Sequence, residues 1–242
     1  FMLLAFILLI HTAGFTVIDA GAQSSIIYSG SLDGIMNNLT SAEGPSSWFQ
    51  WTAGLQWTIM LLLLLAFGIK LPCFPFHSWV LHVHREAPAA VVMLHAGVML
   101  KMGAYGMIRF GIMLLPEHYE QLSWLLAVLG LMNLLYGALL AFMLTEFRLI
   151  LAYASISHMG IVLLGLASYH AVGLNGALFQ IISHGLITAL LFLLVGSLFE
   201  RTKTTSLSEL GGIAQRLPFM SGMLLAGGLA LLGLPSLSGF VG

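Results

Sequence analysis

Two lysines stand where a hydrocarbon environment offers an ammonium group no solvent. Lys70 closes the apolar run 61–69, and Lys101 sits in the middle of the run 91–108. A lysine at the centre of a spanning helix costs about 2.5–3.5 kcal/mol on insertion scales, so it marks a functional position by default. Burial disfavours the charged amine, and a neighbouring charge then decides whether the proton stays. That sensitivity is the chemistry of a proton relay. Lys70 lies near the end of its run, where snorkelling to an interface is a rival explanation; Lys101 is too deep for that. His158, after Ala154-Ser-Ile-Ser157, and His184, within 180–185, also lie at membrane depth. Imidazole titrates near neutrality and can bridge two proton carriers. The rival for each is a packing histidine bonded to a carbonyl or hydroxyl. We assign His158 and His184 to the relay and read His95, His11 and His170 as packing residues. His82, His84 and His118 are read as loop residues, and His82 and His84 lack the further ligands a metal site needs.

The residues after Lys70 read Leu71-Pro72-Cys73-Phe74-Pro75-Phe76-His77. Prolines remove backbone donors and clash with the preceding turn, so Pro72 and Pro75 must break the helix. Within a membrane, freed carbonyls survive only where protein or a wet cavity satisfies them. Pro235, in Gly233-Leu-Pro-Ser-Leu-Ser-Gly239, interrupts a second run in a similar way. Paired interrupted helices are the best sequence pointer to a transporter's ion site.

The elements that must position these residues are helices. Of 242 residues, 59% are apolar and 7% charged, with a mean hydropathy of +1.00. A soluble domain carries roughly 25% charged residues, so most of this chain's exterior must face lipid. The fold class expected is all-α, a polytopic transmembrane bundle with discontinuous helices. At about 20 apolar residues per span, seven segments qualify: 1–19, 52–70, 88–110, 121–144, 149–169, 174–198 and 218–239. Trp48, Phe49, Trp51 and Trp57 suit an aromatic belt, and the glycines at 222, 227 and 228 suit close helix packing. Alternate loops carry Arg85, then Arg148, then Arg201, Lys203 and Arg216, against mainly acidic loops opposite. By the positive-inside rule the basic side is cytoplasmic. A net charge of −1 argues against nucleic acid, and the single Cys73 excludes a disulfide framework or Cys-based metal cluster. No nucleotide loop, nucleophile elbow or zinc spacing is found. Both ends stop inside apolar runs, so the chain is expected to be an internal fragment forming one membrane domain, 1–242.

The stretches Lys70–Trp79, His84-Arg-Glu-Ala-Pro88, Ala96–Gly106, Arg148–Gly160, His184-Gly185, Glu200-Arg-Thr202 and Gly233–Gly242 carry a specific resemblance. In order and spacing they are similar to the antiporter-like membrane subunits of respiratory complex I, most of all the M-type subunits of NADH-quinone oxidoreductase. The resemblance implies the complex I/Mrp antiporter-like fold of fourteen helices, with two inverted five-helix repeats. About seven helices, the sixth to the twelfth, would be present here. It implies that Lys70 is the proton-carrying lysine of the broken seventh helix and Lys101 the connecting lysine of the eighth. His77, His158 and His184 would lie on the central hydrophilic axis. Acidic partners would precede Phe1 and follow Gly242. The chain departs from the pattern after Trp79, with Val-Leu-His-Val-His84 in place of Leu-Pro-Asp-Ala-His, and with Ala89 in place of Thr.

The expected function is proton translocation as a subunit of an H⁺-translocating NADH:quinone oxidoreductase, in a bacterial plasma membrane or an inner mitochondrial membrane. Expected partners are lipid and other membrane subunits, with quinone bound elsewhere. No redox centre, cofactor, metal or NADH site is expected in this chain. The rivals are a subunit of an Mrp-type cation/proton antiporter or membrane-bound hydrogenase, and a purely structural subunit.

Overall fold

The computed structural model describes residues 1–20, 23–28, 30–40 and 52–240. Trp48, Phe49 and Trp51 of the expected aromatic belt lie outside the described residues. Five helices are long and apolar enough to cross a membrane. They are α3 (Ala53–Lys70), α5 (Ala89–Ile112), α7 (Ser123–Met143), α8 (Phe147–Ala167) and α9 (Ala171–Thr202). The chain is a multi-pass membrane protein.

The other two expected spans are shorter. The first run gives only α1 (Met2–Ala13). Beyond Gly14, the β-branched Thr16, Val17 and Ile18 favour extended backbone, and β1 (Phe15–Ala20) pairs antiparallel with β2 (Gln23–Tyr28), Phe15 opposite Tyr28. The last run gives α11 (Pro218–Leu231), which stops before Gly233, at φ 71°, and Pro235. Four shorter helices connect the rest: α2 (Leu32–Thr40), α4 (Ser78–Glu86), α6 (Pro116–Gln121) and α10 (Ile213–Arg216).

The described residues form two compact units. The first, 1–67 with 106–121, is organised around aromatic rings. Phe67 stacks on Phe110 with centroids 5.8 Å apart, and Phe6 meets Phe110 edge-on at 4.8 Å. Trp57 meets His118 edge-on at 4.8 Å, and His118 lies in α6 rather than in a loop.

The second unit, 68–105 with 122–242, holds every candidate relay residue. Its central helix is α9, which packs on α5, α8 and α11; α8 also packs on α7 and α4. Val92, Ala96, Leu151, Ile187, Leu191, Phe192, Val195 and Ala230 fill the core between them. The basic loops expected to share one side do gather. Arg148 donates to the Arg85 carbonyl at 3.2 Å, Arg85 lies 3.8 Å from Glu146, and Phe147 and Leu207 bond backbone-to-backbone with Thr205 and Thr145.

Candidate functional site: a buried line of lysine and histidine

Lys101 lies on α5 just beyond a π-helical turn, His95–Met99. Such a turn shifts the side chains that follow it and leaves carbonyls without their usual α-helical donors. The Lys101 ammonium donates to one of these, the Ala96 carbonyl, and to Thr188 Oγ1 of α9 at 3.4 Å. Lys101 is 5% exposed and has no ion-pair partner among the described residues. The helices approach closely here because both carry glycine. A Cβ built on Gly185 would come 2.7 Å from the Gly97 carbonyl oxygen, inside any normal contact.

Thr188 in turn donates to the His184 carbonyl at 2.7 Å, one helical turn back along α9. The His184 ring is 1% exposed, and neither ring nitrogen has a hydrogen-bond partner among the described residues. It lies against the His158 ring of α8, with centroids 4.9 Å apart. Gln180 Nε2 donates to His158 Nδ1 at 3.2 Å. With Nδ1 accepting, the His158 proton sits on Nε2. His158 also meets the backbone of Leu231, the last residue of α11, so the second interrupted helix ends beside this histidine. Lys101, His184 and His158, chosen from sequence, thus lie along one buried line, with Thr188 and Gln180 as polar companions.

The break at Pro72 and Pro75 is stitched by two side chains. Asn133 of α7, fully buried, accepts from the Phe74 backbone N–H at 2.7 Å and donates to the Pro72 carbonyl at 3.4 Å. Trp79 Nε1 donates to the Ile69 carbonyl at 3.1 Å. His77 follows the break in a nest of rings, 5.0 Å from Tyr136 and 6.4 Å from Tyr153 between centroids. It does not touch His158 or His184. Lys70 ends α3, half-buried, with no hydrogen bond or ion pair among the described residues.

Of the three histidines read as loop residues, His82 and His84 lie on α4 and His118 on α6. His84 is not in a solvated loop: it is on α4, 0% exposed, and its Nε2 lies 3.1 Å from His95 Nδ1. His95, read as packing alone, is half of that pair. The turn of helix carrying His84 is too short to register as a span, and the adjacent Arg85-Glu86 suggested solvent. Thr188, Gln180 and Asn133 were missed because only ionisable groups were weighed; a polar side chain amid leucines was the available signal. Among the described residues, no three His, Cys, Asp or Glu side chains gather as a metal would require.

Comparison with known proteins places this geometry. Residues 1–242 match the family model described as NADH:quinone oxidoreductase/Mrp antiporter, TM. An NAD(P)H-quinone oxidoreductase chain 4 of Picosynechococcus sp. is 49% identical over 78% of this chain and 34% of its own length. A chain 4 of Microcystis aeruginosa is 42% identical over 97% of this chain and 41% of its own. Among solved structures, respiratory complex I from Thermus thermophilus with bound NADH contains a chain matching with a TM-score of 0.82 and 33% identity, over 99% of this chain and 46% of that one. The Mrp complex of Dietzia sp. matches at 0.73 and 29%, over 76% of this chain and 34% of that one. The chain therefore spans a third to a half of the length of its relatives. This chain is a member of the NADH:quinone oxidoreductase/Mrp antiporter transmembrane family.

Proposed function

We propose that this chain forms part of the proton path of an antiporter-like membrane subunit of an NADH:quinone oxidoreductase, in which quinone reduction elsewhere in the complex drives charge shifts through the subunit. The observation that carries the reading is the gathering of buried polar groups across α5, α9 and α8: Lys101 donates to Thr188, one turn from His184, whose ring lies against His158, and His158 accepts from Gln180. A lysine and two histidines buried without an acidic partner among the described residues hold protons only as strongly as neighbouring charges allow. The scale fits the task. Moving one charge across 100 mV costs about 2.3 kcal/mol, and each unit of pKa change is worth about 1.4 kcal/mol. Lys70 and His77, at the broken helix, are assigned the next positions along the path. Other membrane subunits and lipid are the partners, and the redox chemistry and quinone are assigned elsewhere in the complex, so no cofactor is assigned to this chain.

A cation/proton antiporter is the second reading, supported by the likeness to the Mrp complex. The higher identity and fuller coverage of the complex I match favour the first. The test is Lys101→Ala in the full-length subunit, with proton translocation followed in membrane vesicles and assembly on a native gel. The reading expects an assembled complex that has lost translocation at least tenfold. Translocation that persists in an assembled complex overturns it, and failure to assemble supports a structural subunit instead.

A further inference from the structure

Lys101 stands between two surroundings of opposite character. An apolar groove runs between α5 and α9, and Lys101 lines it together with Leu94, Val98, Tyr105, Ile182 and Leu186, all of them exposed. Apart from Lys101 itself, the Tyr105 hydroxyl is the only polar side-chain group along this groove. Two oxygens that do not line it hold the ammonium instead. They are the Ala96 carbonyl and Thr188 Oγ1, the latter at 3.4 Å, and both residues are buried. The flexible stem of a lysine lets its ammonium swing between such surroundings, so which one it occupies must be fixed by its partners.

The two acceptors lie side by side. Ala96 belongs to the π-helical turn of α5, and Thr188 Oγ1 stands 3.5 Å from its carbonyl oxygen, across the contact of α5 with α9. The Thr188 hydroxyl has one hydrogen, and its shortest bond is the 2.7 Å donation to the His184 carbonyl. With the hydrogen committed there, the lone pairs of Oγ1 are left to accept from Lys101. In a helix, threonine has few side-chain rotamers, and bonding the carbonyl one turn back selects among them. The direction of Oγ1 is therefore set by α9 itself, and the Gly97–Gly185 crossing brings it within reach of the lysine.

We propose that Thr188 is the positioning residue of Lys101: its hydroxyl, steered by the His184 carbonyl, seats the ammonium between α5 and α9 and keeps it out of the apolar groove. Thr188 neither gives nor takes a proton in this role. It accepts one hydrogen bond from Lys101 and keeps its own hydrogen on His184. A charged N–H makes the stronger hydrogen bond, so the seat grips the ammonium more firmly than the neutral amine. Lys101 is thus held one helical turn from His184 while it carries a proton and is loosened once the proton has left. The inference rests on the proposed translocation function.

The test compares Thr188→Val with Thr188→Ser in the full-length subunit within its complex. Valine keeps the volume and branching of threonine without the oxygen, whereas serine keeps the oxygen and gives up the methyl group. Translocation in vesicles is measured per assembled complex, beside Lys101→Ala. Thr188→Val is expected to slow translocation about tenfold, the order set by one hydrogen bond to a charged group. Serine restores the hydroxyl, and Thr188→Ser is expected to recover most of the lost rate. A packing role predicts the reverse order, with valine tolerated and serine impaired, and that order overturns the proposal. Equal losses in the two variants overturn it as well. Should Thr188→Val fail to assemble, Thr188→Ala replaces it, since alanine and serine differ by the hydroxyl alone; equal rates in those two are again fatal. If Lys101→Ala abolishes translocation while Thr188→Val does not slow it, the positioning role alone fails. If Lys101→Ala translocates normally, the functional reading itself fails.

Discussion

At the scale of single residues, the break after Lys70 depends on a side chain from another helix. Asn133 supplies an acceptor to the Phe74 N–H and a donor to the Pro72 carbonyl, both groups that the prolines took out of helical bonding. Replacing it by Leu preserves volume and leaves two buried backbone groups without partners. Each such loss costs about 1–3 kcal/mol. Asn133→Leu is therefore expected to lower the melting temperature of the detergent-solubilised complex, while Asn133→Asp, which retains the acceptor for Phe74, loses less. An unchanged melting temperature in Asn133→Leu would show that the break is satisfied by other means. The two lysines and the two histidines assigned to the proposed relay stand out in the sequence because a charge or imidazole in an apolar run is costly and conspicuous. Asn133 was not, since an amide's worth depends on which backbone groups lie opposite it, and those come from a segment some sixty residues away. His84 was hidden for a different reason. Its helix, Ser78–Glu86, has polar neighbours on one face, and burial of the other face arises only in the packed bundle, on α8 and against the rings of His95 and Phe192.

At the scale of elements, length and apolarity placed all five long helices within a few residues of their observed ends. Both end segments read too long, because a run of apolar residues does not distinguish helix from strand or from a glycine–proline stop. The glycine reading also needs revision. Gly222 and Gly228 meet nothing within 4 Å, and Gly227 faces the Leu191 side chain. The close crossings are instead Gly97 with Gly185 and Gly130 with Gly160, where a Cβ on Gly160 would lie 2.6 Å from the Gly130 carbonyl oxygen. Which glycines meet is a property of helix pairing, and spacing within one helix does not reveal it. Overpacking a tight contact costs about 1–3 kcal/mol. Gly160→Val should therefore separate α7 from α8 and reduce the assembled complex on a native gel, whereas Gly228→Ala should leave its amount unchanged. Equal yields of the two variants would refute the assignment of the crossings. Gly185→Ala tests function more directly, since the displaced α5 carries Lys101: translocation per assembled complex should fall even where assembly survives.

At the scale of the whole molecule, the direction of the proposed proton flow depends on which face the basic loops occupy. Arg85, Arg148 and the loop carrying Arg201 and Lys203 converge through the contacts of Arg148, Phe147 and Leu207. The positive-inside rule puts that face in the cytoplasm. Helix α8 leaves it at Phe147 and reaches the far side at Ala167, so Tyr169 and Lys203 should lie on opposite faces. Cysteine labelling can decide this against the unsubstituted subunit as background, and Cys73 of this chain is buried and 4% exposed. In intact cells producing the full-length subunit, a membrane-impermeant maleimide is expected to modify Tyr169→Cys from outside. It should reach Lys203→Cys only after the membrane is opened. The reverse pattern would turn the bundle over and put Arg85, Arg148 and Lys203 on the outside. The labelling result fixes the sense in which any proton on the proposed path through Lys101 must travel.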